Sequence, residues 1–208
     1  MDILSSAYLA PVSYYRRLYN NSVIIDGYCN YLKQSYRNRC RIATEAGVMT
    51  LSVPVEKPHA GNVPTRDMLL CDHGNWAHLH WTAITSAYNS SPFFMYYCDD
   101  IRPFFENPFK YRFLFDFNEA LRETVCRLLG LECDVRYSVS YVDDVTGAND
   151  LREAIHPKRV SPEKENLLRY YQVFEQRNGF IADLSILDLL FNMGPESMFL
   201  LKKEPVEI

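Results

Sequence analysis

Three consecutive pieces near the amino terminus decide the fold: Leu4-Ser5-Ser6-Ala7-Tyr8-Leu9, then Val12 to Tyr19, then Ser22-Val23-Ile24-Ile25-Asp26. The first reads as a short strand, the second as a helix following Pro11, and the third, a β-branched run, as a buried strand. Strand, helix and strand in that order make an opening βαβ unit, whose crossover is expected to be right-handed. The fold class that follows is α/β, with α+β as the neighbouring alternative.

Further along, Arg37 to Thr44, a turn at Glu45-Ala46-Gly47 and the β-branched stretch Val48 to Val55 predict a hairpin with a three-residue loop. Pro54, Pro58, Gly61 and Pro64 mark a loop, with a short strand expected at Met68 to Cys71. Asn75 is placed to cap a helix whose Trp76, Leu79, Ala83 and Ala87 predict one buried stripe. Pro92 opens a second central helix; Phe113, Phe117, Leu121, Val125 and Leu128 mark a third, closed by Gly130. Cys133 to Tyr141 alternates like a strand, and residues 149–178 are polar and read as partly helical. Ser185-Ile186-Leu187-Asp188 has the form of a capping box before a terminal helix that Gly194-Pro195 stops. The expected architecture is a mixed sheet carrying the βαβ unit and the hairpin, packed by several helices in a single domain, residues 1–208.

A chain of 208 residues with 48% apolar and 23% charged residues can bury a core without disulfides or metal. Its net charge of −4 argues against a general nucleic-acid binder. The start, Met1-Asp2-Ile3-Leu4-Ser5-Ser6-Ala7, lacks a basic signal-peptide region, and no long apolar run spans a membrane, so a soluble, cytoplasmic protein is expected. The six cysteines form no C-x-x-C pair and read as small core or surface thiols.

Charge is distributed unevenly. Residues 1–42 hold six basic side chains (Arg16, Arg17, Lys33, Arg37, Arg39, Arg41) against two acids, so a +4 segment sits inside an acidic molecule. On a strand, Arg37, Arg39 and Arg41 would share one face, with Asn38, Cys40 and Ile42 opposite. Guanidinium forks in such a row suit phosphate or carboxylate, with Lys33 adding a point charge. A solvated edge strand guarded by cations against aggregation is the competing explanation. Seven of the 15 tyrosines fall within the first 36 residues, a composition that suits a sugar or nucleobase face as well as a hydrogen-bonded core.

Other chemistry is sparse. Cys71, His73, His78 and His80 suggest a metal site, but residues two apart on a helix point about 200° from each other, so His78 and His80 cannot share one ion. No metal site and no cofactor is assigned. His78 remains open as a lone general base. Cys98 precedes Asp99 and Asp100, whose charges suppress a reactive thiolate.

Tyr8-Leu9-Ala10-Pro11-Val12-Ser13-Tyr14-Tyr15, Tyr31-Leu32-Lys33-Gln34-Ser35-Tyr36-Arg37-Asn38-Arg39-Cys40-Arg41-Ile42 and Leu51-Ser52-Val53-Pro54-Val55 resemble the WbqC-like proteins. So do Trp76 with His78, Ser91-Pro92-Phe93, Tyr171-Gln172 and the run from Leu184 to Asn192 closed by Gly194. The resemblance implies a place among bacterial O-antigen and other surface-polysaccharide genes, with glycine or another aminoacyl or acyl transfer onto an amino sugar. Two departures stand out: Ser5 and Ser6 replace a frequent Gln, and residues 148–170 are shorter than the usual region, which implies, if that region lines the acceptor site, a different acceptor or no activity.

Two functions of different class follow. In the first, a transferase binds a nucleotide-linked amino sugar, with Lys33, Arg37 and Arg39 at the diphosphate, Tyr8 or Tyr36 against a ring, Asn38 and Arg41 as further substrate-binding residues, and His78 or Asp188 removing a proton. In the second, a non-catalytic assembly protein docks an anionic partner on its Arg/Tyr-rich face. Either is compatible with a homo-oligomer.

Overall fold

The computed structural model describes residues 1–57, 61–159 and 169–202. In chain order the elements are β1 (Asp2–Leu4), α1 (Val12–Asn20), β2 (Val23–Ile25), β3 (Arg39–Thr44), β4 (Gly47–Ser52), α2 (Trp76–Tyr88), α3 (Phe94–Ile101) and α4 (Pro103–Glu106). There follow α5 (Leu114–Leu128), β5 (Val135–Tyr137), β6 (Asn149–Asp150), α6 (Glu175–Asn178), α7 (Ile186–Met193) and α8 (Ser197–Leu201).

The opening βαβ unit is present: β1 and β2 run parallel, in the register Asp2 to Val23 and Leu4 to Ile25, with α1 between them. β5 joins the far side of β2 and β6 the free side of β1, both in parallel, giving the order β5-β2-β1-β6. Ile3, Leu4, Val23 and Ile25 are buried on both faces of this sheet, which is why they read as unbroken apolar runs. The hairpin β3–β4 is a separate antiparallel pair whose inward Cys40 and Ile42 close over the core. Parallel sheet, hairpin and flanking helices form an α/β fold around one apolar cluster that reaches from Leu4 to Leu201.

Several expected boundaries move. The first strand stops at Leu4, because Leu9 takes a positive φ of 40° and Tyr8 N–H donates to Tyr36 O instead of to a sheet neighbour. Tyr8, Leu9 and Ala10 stay buried, so burial rather than pairing explains their apolar pattern. Thr44 pairs with Gly47, leaving only Glu45 and Ala46 in the hairpin loop; Gly47 supplies the φ of 106°. Met68 to Cys71 makes single bridges, Leu69 with Phe113 and Leu70 with Val55. The α2 stripe is Trp76, Ala77, His80, Ile84 and Ala87, while Leu79 is exposed. Asn75 occupies the cap position of α2 in the left-handed region without a side-chain cap bond. Only Val135–Tyr137 of the alternating stretch from Cys133 is strand, and the polar region expected to be partly helical opens instead on an edge strand, Asn149–Asp150, with helix at Glu175–Asn178. Pro58 and residues 160–168, part of the expected helical region, lie outside the described residues.

Candidate anion-binding cleft

In parallel α/β sheets the carboxyl ends of the strands face the ligand side, because successive crossovers leave a crevice there. Here β2 runs out at Asp26 and β6 at Asp150, with β1 between them. Arg152 bridges the two acids. Its Nε and Nη2 donate to the Asp150 carboxylate at 2.9 and 2.7 Å, and its Nη1 donates to Asp26 Oδ2 at 2.7 Å and to Val142 O at 2.9 Å. Asp26, fully buried, also accepts from Tyr28 N–H at 3.0 Å and Ser138 Oγ at 2.9 Å. The Arg152 hydrogen bonds hold the Asp150 carboxyl below its usual range. These groups form a locked polar floor.

Above that floor opens a cavity of about 440 Å³, lined among others by Cys29, Asn30, Arg37, Asn62, Glu153 and Arg159. Arg37 is 3% exposed, its Nη2 donates to Cys29 Sγ at 3.5 Å, and its buried Nε has no partner. Among the described residues it makes no ion pair. It does not share the strand face expected for Arg37, Arg39 and Arg41, because β3 begins only at Arg39. Asn118 Nδ2 donates to Arg37 O at 2.8 Å and Arg37 N–H donates to Ser35 Oγ at 3.3 Å, which turns this residue towards α5 and the cleft.

A second lobe of about 230 Å³, lined by Tyr31, Lys33, Asn38 and Arg39 among others, adjoins the first, and Tyr31 belongs to both. The Arg39 Nε is likewise buried without a partner. Burial raises the Tyr31 hydroxyl, while the charges of Arg39 and Arg37, which line one lobe each with it, pull it back down. Beyond the lining, burial, and then the positive charges of Arg159, Lys158 and Arg37, hold His156 below its usual range against the opposing charge of Glu153. The arrangement is a positively charged, two-lobed cleft with hydrogen-bonding walls, suited to a phosphate-bearing ligand.

Of the residues singled out in the sequence, Lys33, Arg37, Asn38 and Arg39 line these two lobes. Tyr8 lies in the core, its hydroxyl hydrogen-bonded to His80 Nδ1 at 2.9 Å and its ring stacked on Phe117 with ring centres 6.0 Å apart. Tyr36 is buried, its hydroxyl pushed up to about 12 by burial, with Asp183 and Arg41 close by. His78 is exposed on α2 and lines neither lobe. Asp188 is buried, and its Oδ2 accepts from Tyr170 Oη and Gln172 Nε2, each at 2.8 Å. Burial raises its carboxyl to about 6. The box form at Ser185 is therefore half used: Ser185 Oγ accepts from Leu187 N–H as a cap, while Asp188 turns inward. Cys29, Asp150, Arg152 and Glu153 were not among the sequence candidates; they belong to no motif, and Asp26 meets Arg152 across 126 residues. Among the described residues no group of three or more His, Cys, Asp or Glu is placed to hold a metal, and no helix is long and apolar enough to cross a membrane.

The fold and cleft define an α/β protein with a cationic crevice at the carboxyl ends of its parallel strands. The profile of the WbqC-like protein family matches residues 6–156, and the chain belongs to that family. The match takes in both lobes up to His156 and stops before α7, which the sequence resemblance had included. An uncharacterized protein of Mycobacterium tuberculosis H37Rv is 28% identical over 190 residues, covering 80% of this chain and 81% of the other. No solved structure matches the chain.

Proposed function

We propose that this protein binds a nucleotide-linked amino sugar in the two-lobed cleft and transfers an acyl or aminoacyl group to its amine during surface-polysaccharide assembly. The observation that carries the reading is Arg37, a guanidinium 3% exposed, facing the cleft without an ion-pair partner among the described residues. A buried charge left alone costs several kcal/mol, and an anionic ligand removes that cost. Arg37 and Arg39 take the diphosphate from either side of Tyr31, Lys33 adds charge, and Asn38 lines the second lobe. Tyr31, not Tyr8 or Tyr36, offers the ring. The polysaccharide context comes from the family resemblance, and the cationic cleft is compatible with it.

The test is thermal unfolding against nucleotide sugars, free nucleotides, acyl donors and divalent metals. A ligand at about a hundred times its dissociation constant adds about 2.7 kcal/mol. For a chain of this size that raises Tm by about 5–11 °C. A rise with a nucleotide-linked amino sugar, absent in Arg37→Met and Arg39→Ala, is the expected result. A flat response to every phosphate-bearing compound would sink the reading and favour an assembly protein docking an acidic partner.

A further inference from the structure

We propose that Cys29 is the acyl-carrying nucleophile of the cleft, charged by an acyl phosphate whose phosphate group rests on Arg37. The inference rests on the phosphate-binding reading above and adds the donor class and the covalent residue. Cys29 lines the larger lobe. Its Sγ donates to Asp26 O at 3.0 Å and accepts from Arg37 Nη2 at 3.5 Å. The guanidinium that donates to the sulfur is thus the buried one whose Nε has no partner, and Thr65 Oγ1 stands 3.8 Å from the same sulfur. A phosphate drawn to that guanidinium would bring the carbonyl carbon bonded to it towards the sulfur, the proximity that acyl transfer requires. The same guanidinium compensates negative charge on the departing phosphate.

The chemistry balances in two steps. Cys29 Sγ attacks the carbonyl carbon of the acyl phosphate; the C–O bond to phosphate breaks, and the departing phosphate takes the thiol proton. An acyl thioester on Cys29 remains. The amine of the acceptor sugar then attacks the thioester carbon, the C–S bond breaks, and an amine proton returns to the sulfur, giving an amide and free Cys29. No oxidant or reductant is needed.

The other thiols lie elsewhere. Cys40, Cys98 and Cys126 are buried, as Cys29 is, but they line neither lobe, and burial raises the Cys40 thiol. Cys71 and Cys133 are half-buried and line neither lobe. Cys133, half-buried and outside both lobes, is open to undirected acylation. It therefore serves as an internal control.

The experiment treats the full chain with acetyl phosphate and maps hydroxylamine-sensitive acetyl thioesters by peptide mass spectrometry. In parallel, inorganic phosphate and a nucleotide-linked amino sugar are scored by thermal shift. The expected result is label on Cys29, slowed by inorganic phosphate, lost in Cys29→Ala and reduced at least about tenfold in Arg37→Gln while label on Cys133 is unchanged. Label confined to Cys71 and Cys133, or equal Cys29 label in wild type and Arg37→Gln, overturns the assignment. If Cys29→Ala fails to fold, the wild-type site map and the Arg37→Gln comparison still decide. Thermal shifts without Cys29 label would leave the phosphate reading standing and remove the nucleophile; loss of both would remove both.

Discussion

Arg37 burdens the unliganded fold, since its charge is buried and its Nε lacks a partner. Arg37→Met is expected to leave the ligand-free protein as stable or up to about 3 kcal/mol more stable, while abolishing the thermal shift with phosphate compounds. A clear drop in the ligand-free Tm would mean that the fold itself compensates the guanidinium. Two other buried groups make opposite contributions to pH dependence. Burial raises Asp188 from 3.8 to about 6, so the folded state holds more protons between those values and its stability falls as pH rises through them. Burial lowers His80 from 6.5 to about 4, so there the unfolded state binds more protons and stability falls as pH drops. Each shift corresponds to about 3 kcal/mol, and over pH 4 to 6 they largely cancel. Asp188→Asn exposes the His80 effect: between pH 6 and 4 it should lose about 3 kcal/mol relative to wild type, read from urea unfolding at each pH. A difference between the two proteins that does not change with pH would show that Asp188 titrates as an ordinary carboxyl. The sequence pointed to Lys33, Arg37 and Arg39 through their local charge density. It could not point to Cys29, which belongs to no motif and meets the Arg37 guanidinium only through the fold.

Among the elements, α1 and α5 were legible because each buries a stripe with helical spacing, and α7, buried from Ile186 to Asn192, through Ser185 before it and Gly194 after it. Of the short strands β2 was legible as a β-branched run, whereas β1 and β6 were misjudged in extent or type. Burial made Tyr8 and Leu9 look like strand, and the polar Asn149–Asp150 pair became strand only because β1 offers it a free edge. Local punctuation was more reliable, and Gly194 shows why. It ends α7 at a φ of 53°, and a Cβ there would come within 2.5 Å of the Phe93 ring. Phe93 is itself tied down, its N–H donating to Phe191 O at 2.9 Å. Gly194→Ala therefore combines backbone strain with overpacking and should cost about 2–4 kcal/mol. Gly130 ends α5 at a φ of 66°, and a Cβ there would meet nothing within 4 Å, so Gly130→Ala should cost only about 1 kcal/mol. Denaturant unfolding of the two variants checks the contrast. Equal losses would mean that the Phe93 ring swings aside and only backbone strain is felt.

For the molecule as a whole, the sheet and the cleft depend on one another through Arg152. The sheet's parallel strands are only two or three residues long, so backbone pairing alone fixes little, and Arg152 joins Asp26 after β2 to Asp150 at the end of β6 across the intervening β1. This is the reverse of the situation at Arg37. Arg152 is 7% exposed and fully engaged with two carboxylates, so its removal leaves Asp26, at 0% exposure, as an uncompensated buried charge. Arg152→Met should therefore destabilise by about 3–5 kcal/mol, whereas Arg37→Met does not, although both substitutions delete a buried arginine from one cleft. Asp26→Asn in the Arg152→Met background should recover part of the loss, because it removes the stranded charge while keeping an oxygen to accept from Tyr28 N–H and Ser138 Oγ. Chemical unfolding of the two single variants and the double variant separates the cases. A double variant no more stable than Arg152→Met would place the loss in the Asp150 anchor of the edge strand, and with it the closure of the sheet.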